Sequence, residues 1–374
     1  MKTAFVYTRR YFDYDYGEFH PLKIERLQMT YDLCRAYGLL DLVDMKLVET
    51  IPATEEEILR FHKSDYIDVL KAASRGLMKE NYQYGLGPGD NPIFPGVWEW
   101  CLLQSGASLQ CAKLVEEKKV RIAFNIAGGL HHALYDRASG FCYLNDPVLA
   151  ILHFVDRGYR VLYLDVDAHH GDGVQWAFYD DPRVLTVSFH QDGRTLFPGS
   201  GHVTEMGAKT GMGYSVNIPM LPGTDDDVFW QGFINVIPSL LDIFKPDVIV
   251  SQLGVDTFKD DPLTALELTT NGYCKVIDYL RENAPAWVAL GGGGYNVDNV
   301  ARAWTLAWAV MNKIELPDNM PEYSIQGMAI ERKQLRDPSH SSHSRPLCAR
   351  RIEECIKYMD DNLFPLLKDR QAGS

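Results

Sequence analysis

Short unbroken apolar runs alternate with longer stretches in which apolar positions recur at helical spacing along most of the chain. The short runs at 4–7, 121–126, 161–166, 184–189, 247–253 and 287–290 read as strands. Their lack of polar alternation predicts burial on both faces, as in a parallel sheet. Helical spacing between most of them supplies the crossovers of right-handed βαβ units. Upstream, a helix is expected over 27–37, stopped by Gly38. Thr54 and Glu57 form a capping-box signature for a helix carrying Ile58, Leu59 and Phe61, and another helix is expected over 66–73. The stretch 98–117 reads as a long helix whose Trp and Cys residues belong to the core. Between these helices, Gly85-Leu86-Gly87-Pro88-Gly89-Asp90-Asn91-Pro92 is a surface loop suited to a site rim.

No internal repeat or linker divides the chain, so residues 1–374 read as a single α/β domain. A more polar C-terminal extension begins at about 317. It holds a loop over 337–343, with His340 and His343 expected in solvent, and an amphipathic helix near 350–360.

One strand changes the picture. Val161-Leu162-Tyr163-Leu164 runs into Asp165-Val166-Asp167-Ala168-His169-His170-Gly171-Asp172-Gly173. Alternate residues of a strand share a face, so Asp165 and Asp167 point the same way, with His169 close behind. Unpaired charge at the end of a doubly buried strand is costly, which favours a functional site over ordinary turn carboxylates. Ligands of open α/β sheets sit beyond the carboxyl ends of the strands. The other strand ends lead into Gly128-Gly129-Leu130-His131-His132, Gly254-Val255-Asp256 and Gly291-Gly292-Gly293-Gly294-Tyr295.

Asp167, His169 and Asp256 form an O/N donor set for a divalent metal with an open position. His131 and His132 could transfer protons, with Asp165 and Asp172 fixing their tautomers. Tyr295 is placed to donate to a developing oxyanion. Taken alone, the glycine run could be a phosphate loop, and the histidine pair could be structural; the set together points to metal-assisted hydrolysis of an amide.

Charge and cysteine content narrow the partners. A formal net charge of −13 argues against a nucleic-acid-gripping surface and is compatible with a basic substrate or partner. The seven cysteines are scattered, without a Cys-x-x-Cys, and read as reduced thiols. No signal-peptide core or membrane-length apolar run is evident, so a cytoplasmic protein is expected.

Several blocks resemble the signatures of the zinc-dependent histone deacetylase superfamily. They are Gly128 to Ala133, Ala138-Ser139-Gly140-Phe141-Cys142-Tyr143-Leu144-Asn145-Asp146, Asp165 to Gly173 and Gly291 to Tyr295, within a likeness running from about His20 to Trp308. Within the superfamily, Tyr84-Gly85-Leu86-Gly87, Pro92-Ile93-Phe94-Pro95-Gly96, Asp172-Gly173-Val174-Gln175-Trp176 and Phe197-Pro198-Gly199-Ser200-Gly201 look most like bacterial acetoin-utilisation deacetylases. The resemblance implies the arginase/deacetylase fold, a single domain around an eight-stranded parallel sheet. It also implies hydrolysis of N-acetyl-lysine in proteins, with an acetyl-CoA synthetase as the expected substrate. By motif position, Asp167, His169 and Asp256 match ligands of zinc, or of iron(II) in the cell. His132 matches the general base and acid, His131 its electrostatic partner, Asp165 and Asp172 their hydrogen-bond partners, and Tyr295 the carbonyl-polarising tyrosine. Gly140, Phe141, Phe197 and Leu263 match the walls of an acetyl-lysine tube, Asp90 an acidic rim residue, and Arg26 an arginine of an internal cavity. Structural potassium is implied at Asp165, Asp167, His169, Ser188 and Phe189, and again at Phe178, Asp181, Val184 and Tyr214.

Other readings remain open on the same residues. An amidohydrolase of this fold could act on acetylated polyamines, and a degenerate member could bind acyl-lysine without cleaving it. Tyr295 speaks against the degenerate member. A two-metal, arginase-like site is disfavoured because Asp256 is followed by Thr257 and Phe258, with no second carboxylate two residues on.

Overall fold

The computed structural model describes residues 2–321 and 332–372. Eight strands form one parallel sheet: β1 (Thr3–Tyr7), β2 (Met45–Glu49), β3 (Ile122–Asn125), β4 (Val161–Asp165), β5 (Val184–Gln191), β6 (Ser215–Met220), β7 (Val248–Gln252) and β8 (Trp287–Leu290). Their spatial order is β2-β1-β3-β8-β7-β4-β5-β6, every neighbouring pair parallel. Six of these strands are the apolar runs expected from the sequence. The two that are not, β2 and β6, are the sheet's edges.

The order explains why one site collects residues from distant parts of the chain. Strands β3, β8, β7 and β4 are consecutive in the sheet, so the loops leaving their carboxyl ends share one mouth. The period of two divides the inner strands between two cores. Leu162 and Leu164 of β4 join the cluster holding Trp287, Trp304 and Trp308, whereas Val161 and Tyr163 join the one holding Val115 and Phe154. The first cluster is covered by helices Glu25–Ala36, Val297–Met311 and Thr270–Asn283; Val97–Glu116 and Asp146–Val155 cover the second. Thr54 and Glu57 complete the expected capping box at helix Glu55–Ile58. All seven cysteines are free, and no helix of the described residues is long and apolar enough to cross a membrane.

The polar C-terminal extension falls partly outside the described residues, at 322–331. From 332 onward the chain packs on the domain. Asp337 accepts a 2.9 Å hydrogen bond from the fully buried Arg302, and its own N–H donates to Thr270 Oγ1 at 2.7 Å. The helix expected near 350–360 begins earlier, at Arg345, and places Cys348, Ile352 and Cys355 inward. His340 departs from expectation: it is half-buried and pairs with Glu267 at 2.5 Å, while His343 is exposed. A nearby carboxylate gives an imidazole a partner that the local sequence does not reveal.

Candidate metal and catalytic site

The chain leaves β4 at Asp165 and turns so that the Asp167 N–H donates to Asp165 Oδ1 at 3.1 Å and the His169 N–H to Asp167 Oδ1 at 2.9 Å. This folds the expected ligands onto one point. Asp167, His169 and Asp256 are buried, and each offers a ligand atom within 4.8 Å of the others. Their remaining oxygens are occupied by fixed donors. Asp167 Oδ2 accepts from Gln252 Nε2 at 2.5 Å and from the Gly293 N–H at 2.8 Å, and Asp256 Oδ1 accepts from the Ala168 N–H at 2.8 Å. A Cβ at residue 293 would lie 2.2 Å from Asp256 Oδ2, so only glycine lets the backbone come this close.

The groups of this cluster perturb one another strongly. Burial and the neighbouring Asp167 push the Asp256 carboxyl up to about 8. Burial works against a charged His169, but the two carboxylates outweigh it and draw that imidazole up to about 10. Two oxygens and one nitrogen, oriented by hydrogen bonds from behind, fit a divalent metal such as zinc.

Beside this cluster the two histidines expected to move protons face each other, Nε2 to Nε2, at 3.0 Å. His131 Nδ1 pairs with Asp165 Oδ2 and His132 Nδ1 with Asp172 Oδ1, both at 2.7 Å. The two rings differ sharply in charge. Burial opposes protonation of His131, but Asp165 and Asp167 outweigh it and raise its pKa to about 9. Burial and the adjacent His131 push His132 down to about 4. Near neutrality the structure therefore holds one imidazolium and one free base.

Aromatic rings pack against these groups. Phe197 lies edge-on to His132 with centroids 5.0 Å apart, and Phe141 edge-on to Tyr295 at 5.6 Å. Tyr295 stands 6.4 Å from His169, ring to ring, with its N–H on Asp261 Oδ2 at 2.8 Å. Phe141 is displayed by a tight turn in which Ser139 and Cys142 exchange backbone hydrogen bonds of 3.0 and 2.8 Å. Both central residues take positive φ, 51° at Gly140 and 68° at Phe141. For phenylalanine that is strain of about 1 kcal/mol or more, held at a functional position. A side chain at 140 would meet His132 Cδ2 at 2.5 Å.

The remaining expected residues are placed differently. Leu263 and Phe197 are each more than a third exposed. Asp90 is exposed on the rim, and its backbone oxygen is 3.2 Å from His20 Nε2. Arg26 is buried beneath the glycine run, its Nη1 donating to Gly294 O at 2.9 Å and its guanidinium over Trp304. Ser188 lies opposite Asp165 in the β4–β5 register, with its hydroxyl 2.9 Å from His190 Nδ1. At the second expected potassium position, Phe178 O accepts from Asp181 N and Tyr214 O from Thr186 N, while the Asp181 carboxylate is held by Arg183.

Sequence reasoning missed several supports. Gln252 and Tyr163, whose hydroxyl donates to Asp165 Oδ2 at 2.6 Å, lie inside apolar strands and look like core. Asp146 accepts the Gly129 and Leu130 N–H groups at 2.9 Å each, holding the turn that carries His131 and His132. Gln175 and Glu205 form another support. Gln175 Oε1 accepts from Ser215 Oγ and Asn217 Nδ2, so its Nε2 must face Glu205, 2.7 Å away. Glu205 in turn accepts the Gly201 and His202 N–H groups, which anchors the loop bearing Phe197.

Gln175→Glu would set two carboxylates face to face, and Glu205→Gln would set two NH2 groups together. Each is expected to cost about 1–3 kcal/mol. The double exchange rebuilds the hydrogen bond with its direction reversed, so urea melts should show the double variant more stable than the sum of the singles. Simple additivity would show that the pair is not coupled.

The comparisons with known proteins agree with this geometry. Residues 20–311 match the histone deacetylase domain family. The chain is 44% identical over 313 residues to histone deacetylase B of Dictyostelium discoideum, covering 83% of this chain and 73% of that one. It is 40% identical over 324 residues to histone deacetylase 1 of Homo sapiens, covering 86% of this chain and 66% of that one, so it spans just under two thirds of the human protein's length. The crystal structure of an HDAC homolog from Aquifex aeolicus superposes with a TM-score of 0.84 at 33% identity, covering 95% of this chain and 100% of that one. With its parallel sheet, its buried Asp-His-Asp cluster and these matches, the chain belongs to the histone deacetylase family.

Proposed function

We propose that this protein hydrolyses N-acetyl-lysine in polypeptides to lysine and acetate. The observation that carries the reading is the buried Asp167–His169–Asp256 cluster with His132 and Tyr295 both edge-on to His169, Phe197 packed on His132 and Phe141 on Tyr295. Asp167, His169 and Asp256 would hold the divalent cation, zinc or iron(II). A divalent cation bound there would supply Lewis-acid polarisation of the amide carbonyl and a water with its pKa lowered to about 7.

The chain's own groups do the rest. Phe141 and Phe197 pack along the lysine methylenes and exclude water. His132, its Nδ1–H fixed on Asp172, takes the proton of the attacking water at Nε2 and returns it to the departing lysine amine. His131, held as the imidazolium by Asp165, offsets the negative charge that builds as the water adds. Tyr295 donates its phenolic proton to the oxyanion. Burial and the nearby Asp256 hold that phenol well above its usual pKa, which keeps it a donor.

Potassium at Ser188 and Asp165, and at the 178–184 loop, would have a structural role. Likeness to acetoin-utilisation enzymes favours an acetyl-CoA synthetase as substrate and a cytoplasmic site of action, whereas the histone deacetylase relatives favour histone tails. Both present the same side chain. The test is acetate release from an acetyl-lysine peptide by protein of known metal content, with acetylputrescine alongside. Peptide turnover with negligible acetylputrescine turnover is expected. Comparable turnover of the polyamine would move the assignment to small acylated amines, and peptide binding without acetate release would leave a binding module.

A further inference from the structure

One edge of the sheet is partly open, and its open groups form a symmetric set. Among the described elements β2 packs substantially on β1 alone, whereas β6 at the opposite edge lies against helix Arg345–Tyr358. The Thr3 N–H donates to Asp44 O at 3.0 Å and the Thr50 N–H to Tyr7 O at 3.2 Å, so in this parallel pair residues 44, 46, 48 and 50 turn their backbone groups toward β1. Residues 45, 47 and 49 therefore point theirs outward. At the start of the strand the Met45 N–H is taken by Leu42 O at 3.1 Å. At its end the Gln110 amide stands in for a neighbouring strand, donating to Glu49 O at 3.0 Å and accepting the Ile51 N–H at 2.7 Å. Between these two caps the Met45 C=O, the Leu47 N–H and C=O and the Glu49 N–H stay open among the described residues.

These open groups are complementary to themselves. A second copy laid antiparallel, with its Leu47 opposite this one, pairs each Leu47 N–H with the other Leu47 C=O and each Glu49 N–H with the other Met45 C=O. Every open group is then used. Each Gln110 cap faces the turn that precedes the other copy's β2, where the Met45 N–H is already taken. The side chains agree with this register. Leu47, 47% exposed, meets its own counterpart, while Val43, fully exposed just before the strand, and Ile51, 66% exposed just after it, come to the same ends. An edge lysine ordinarily discourages such pairing. Lys46, however, is on the face opposite Leu47 and lies across from Val48 of the second copy, not from another charge.

We propose that the β2 edge is an interface for a second copy of this chain, with antiparallel β2–β2 pairing joining the two eight-stranded sheets into one. The match of the open groups about Leu47 is what selects a second copy over an unrelated strand. In this arrangement the carboxyl ends of the two sheets face opposite ways, so both catalytic mouths stay open to a polypeptide. The interface is small and each chain carries a net charge of −13, so the pair is weak, with a dissociation constant of about 10–100 µM, and salt strengthens it by screening the repulsion. None of this depends on the deacetylase reading.

Sedimentation velocity of the full chain over about 1–300 µM should show single chains at the low end and pairs at the high end, with tighter pairing at high salt. Leu47→Pro removes an outward N–H, keeps every bond to β1, and should weaken the pairing by at least about tenfold, with a urea melt confirming that the variant is folded. Cross-linking gives a second reading. Residues opposite each other in a hydrogen-bonded antiparallel pair have Cα atoms about 5.5 Å apart, within disulfide reach. Mild oxidation of Leu47→Cys should therefore link two chains, whereas Lys46→Cys, which faces residue 48, should link at least about tenfold more slowly. Should Leu47→Pro fail to fold, the cross-linking rates decide. Wild type that stays monomeric at the highest concentration, pairing that Leu47→Pro leaves equally tight, or equal linking of the two cysteine variants each overturns the proposal.

Discussion

Replacing Tyr295 by phenylalanine is expected to lower kcat on an acetyl-lysine peptide by about 10²–10³-fold, the loss seen when one oxyanion donor is removed from a preorganised site. The substitution is clean because the hydroxyl makes no hydrogen bond among the described residues, so nothing in the fold is left unpaired. What positions the ring survives: its N–H on Asp261 and its edge contact with Phe141 do not involve the phenol. KM and cation content should therefore change little, since the phenol's contribution is greatest once charge has moved onto the oxygen. The check is steady-state kinetics with cation per chain measured on the same samples. A loss under about fivefold would mean that the oxyanion is held by other groups and that Tyr295 only packs beside the site.

Much of this site was legible because its residues break local rules. Two carboxylates at the end of an apolar strand, a histidine pair after glycines and a four-glycine run have no use in a core, and strand ends predict where they meet. The central strands were legible for the opposite reason, being uniformly apolar. Edge strands are neither. Strand β6, Ser215–Met220, carries Ser215, Asn217 and Pro219, and β2, Met45–Glu49, sets Lys46 and Glu49 among partly covered residues. Pairing on one side only tolerates proline and polar positions, so the local signal fades where the structure still forms. Gln252 and Gln175 were hidden similarly. An amide within an apolar strand or a short helix announces nothing until its partner, Asp167 or Glu205, is brought from another part of the chain.

The pairing of Asp167 with Asp256 leads to the second large effect, in which activity and stability should separate. Asp256→Asn keeps the side chain's shape and an oxygen for the Ala168 N–H, but removes a carboxyl whose charged form is disfavoured by burial beside Asp167. Activity should fall by about 10³-fold or more, the equivalent of the several kcal/mol of charge stabilisation that the cation supplies. In chelator, however, the variant should unfold near neutral pH at the same temperature as the wild type or higher, because burial and Asp167 push the Asp256 carboxyl up to about 8 and folding must protonate a group that is ionised in the unfolded chain, a cost the amide does not carry. Added zinc should reverse that order. A cation at about 1,000 times its Kd stabilises the wild type by about 4 kcal/mol, and a variant lacking a ligand gains far less. Paired thermal melts, with chelator and with zinc, read both effects. A variant that melts well below the wild type in chelator would identify Asp256 as the partner of a structural His169 ion pair instead. The carboxylate would then be present for the fold, and the cation would have to be sought elsewhere in the mouth.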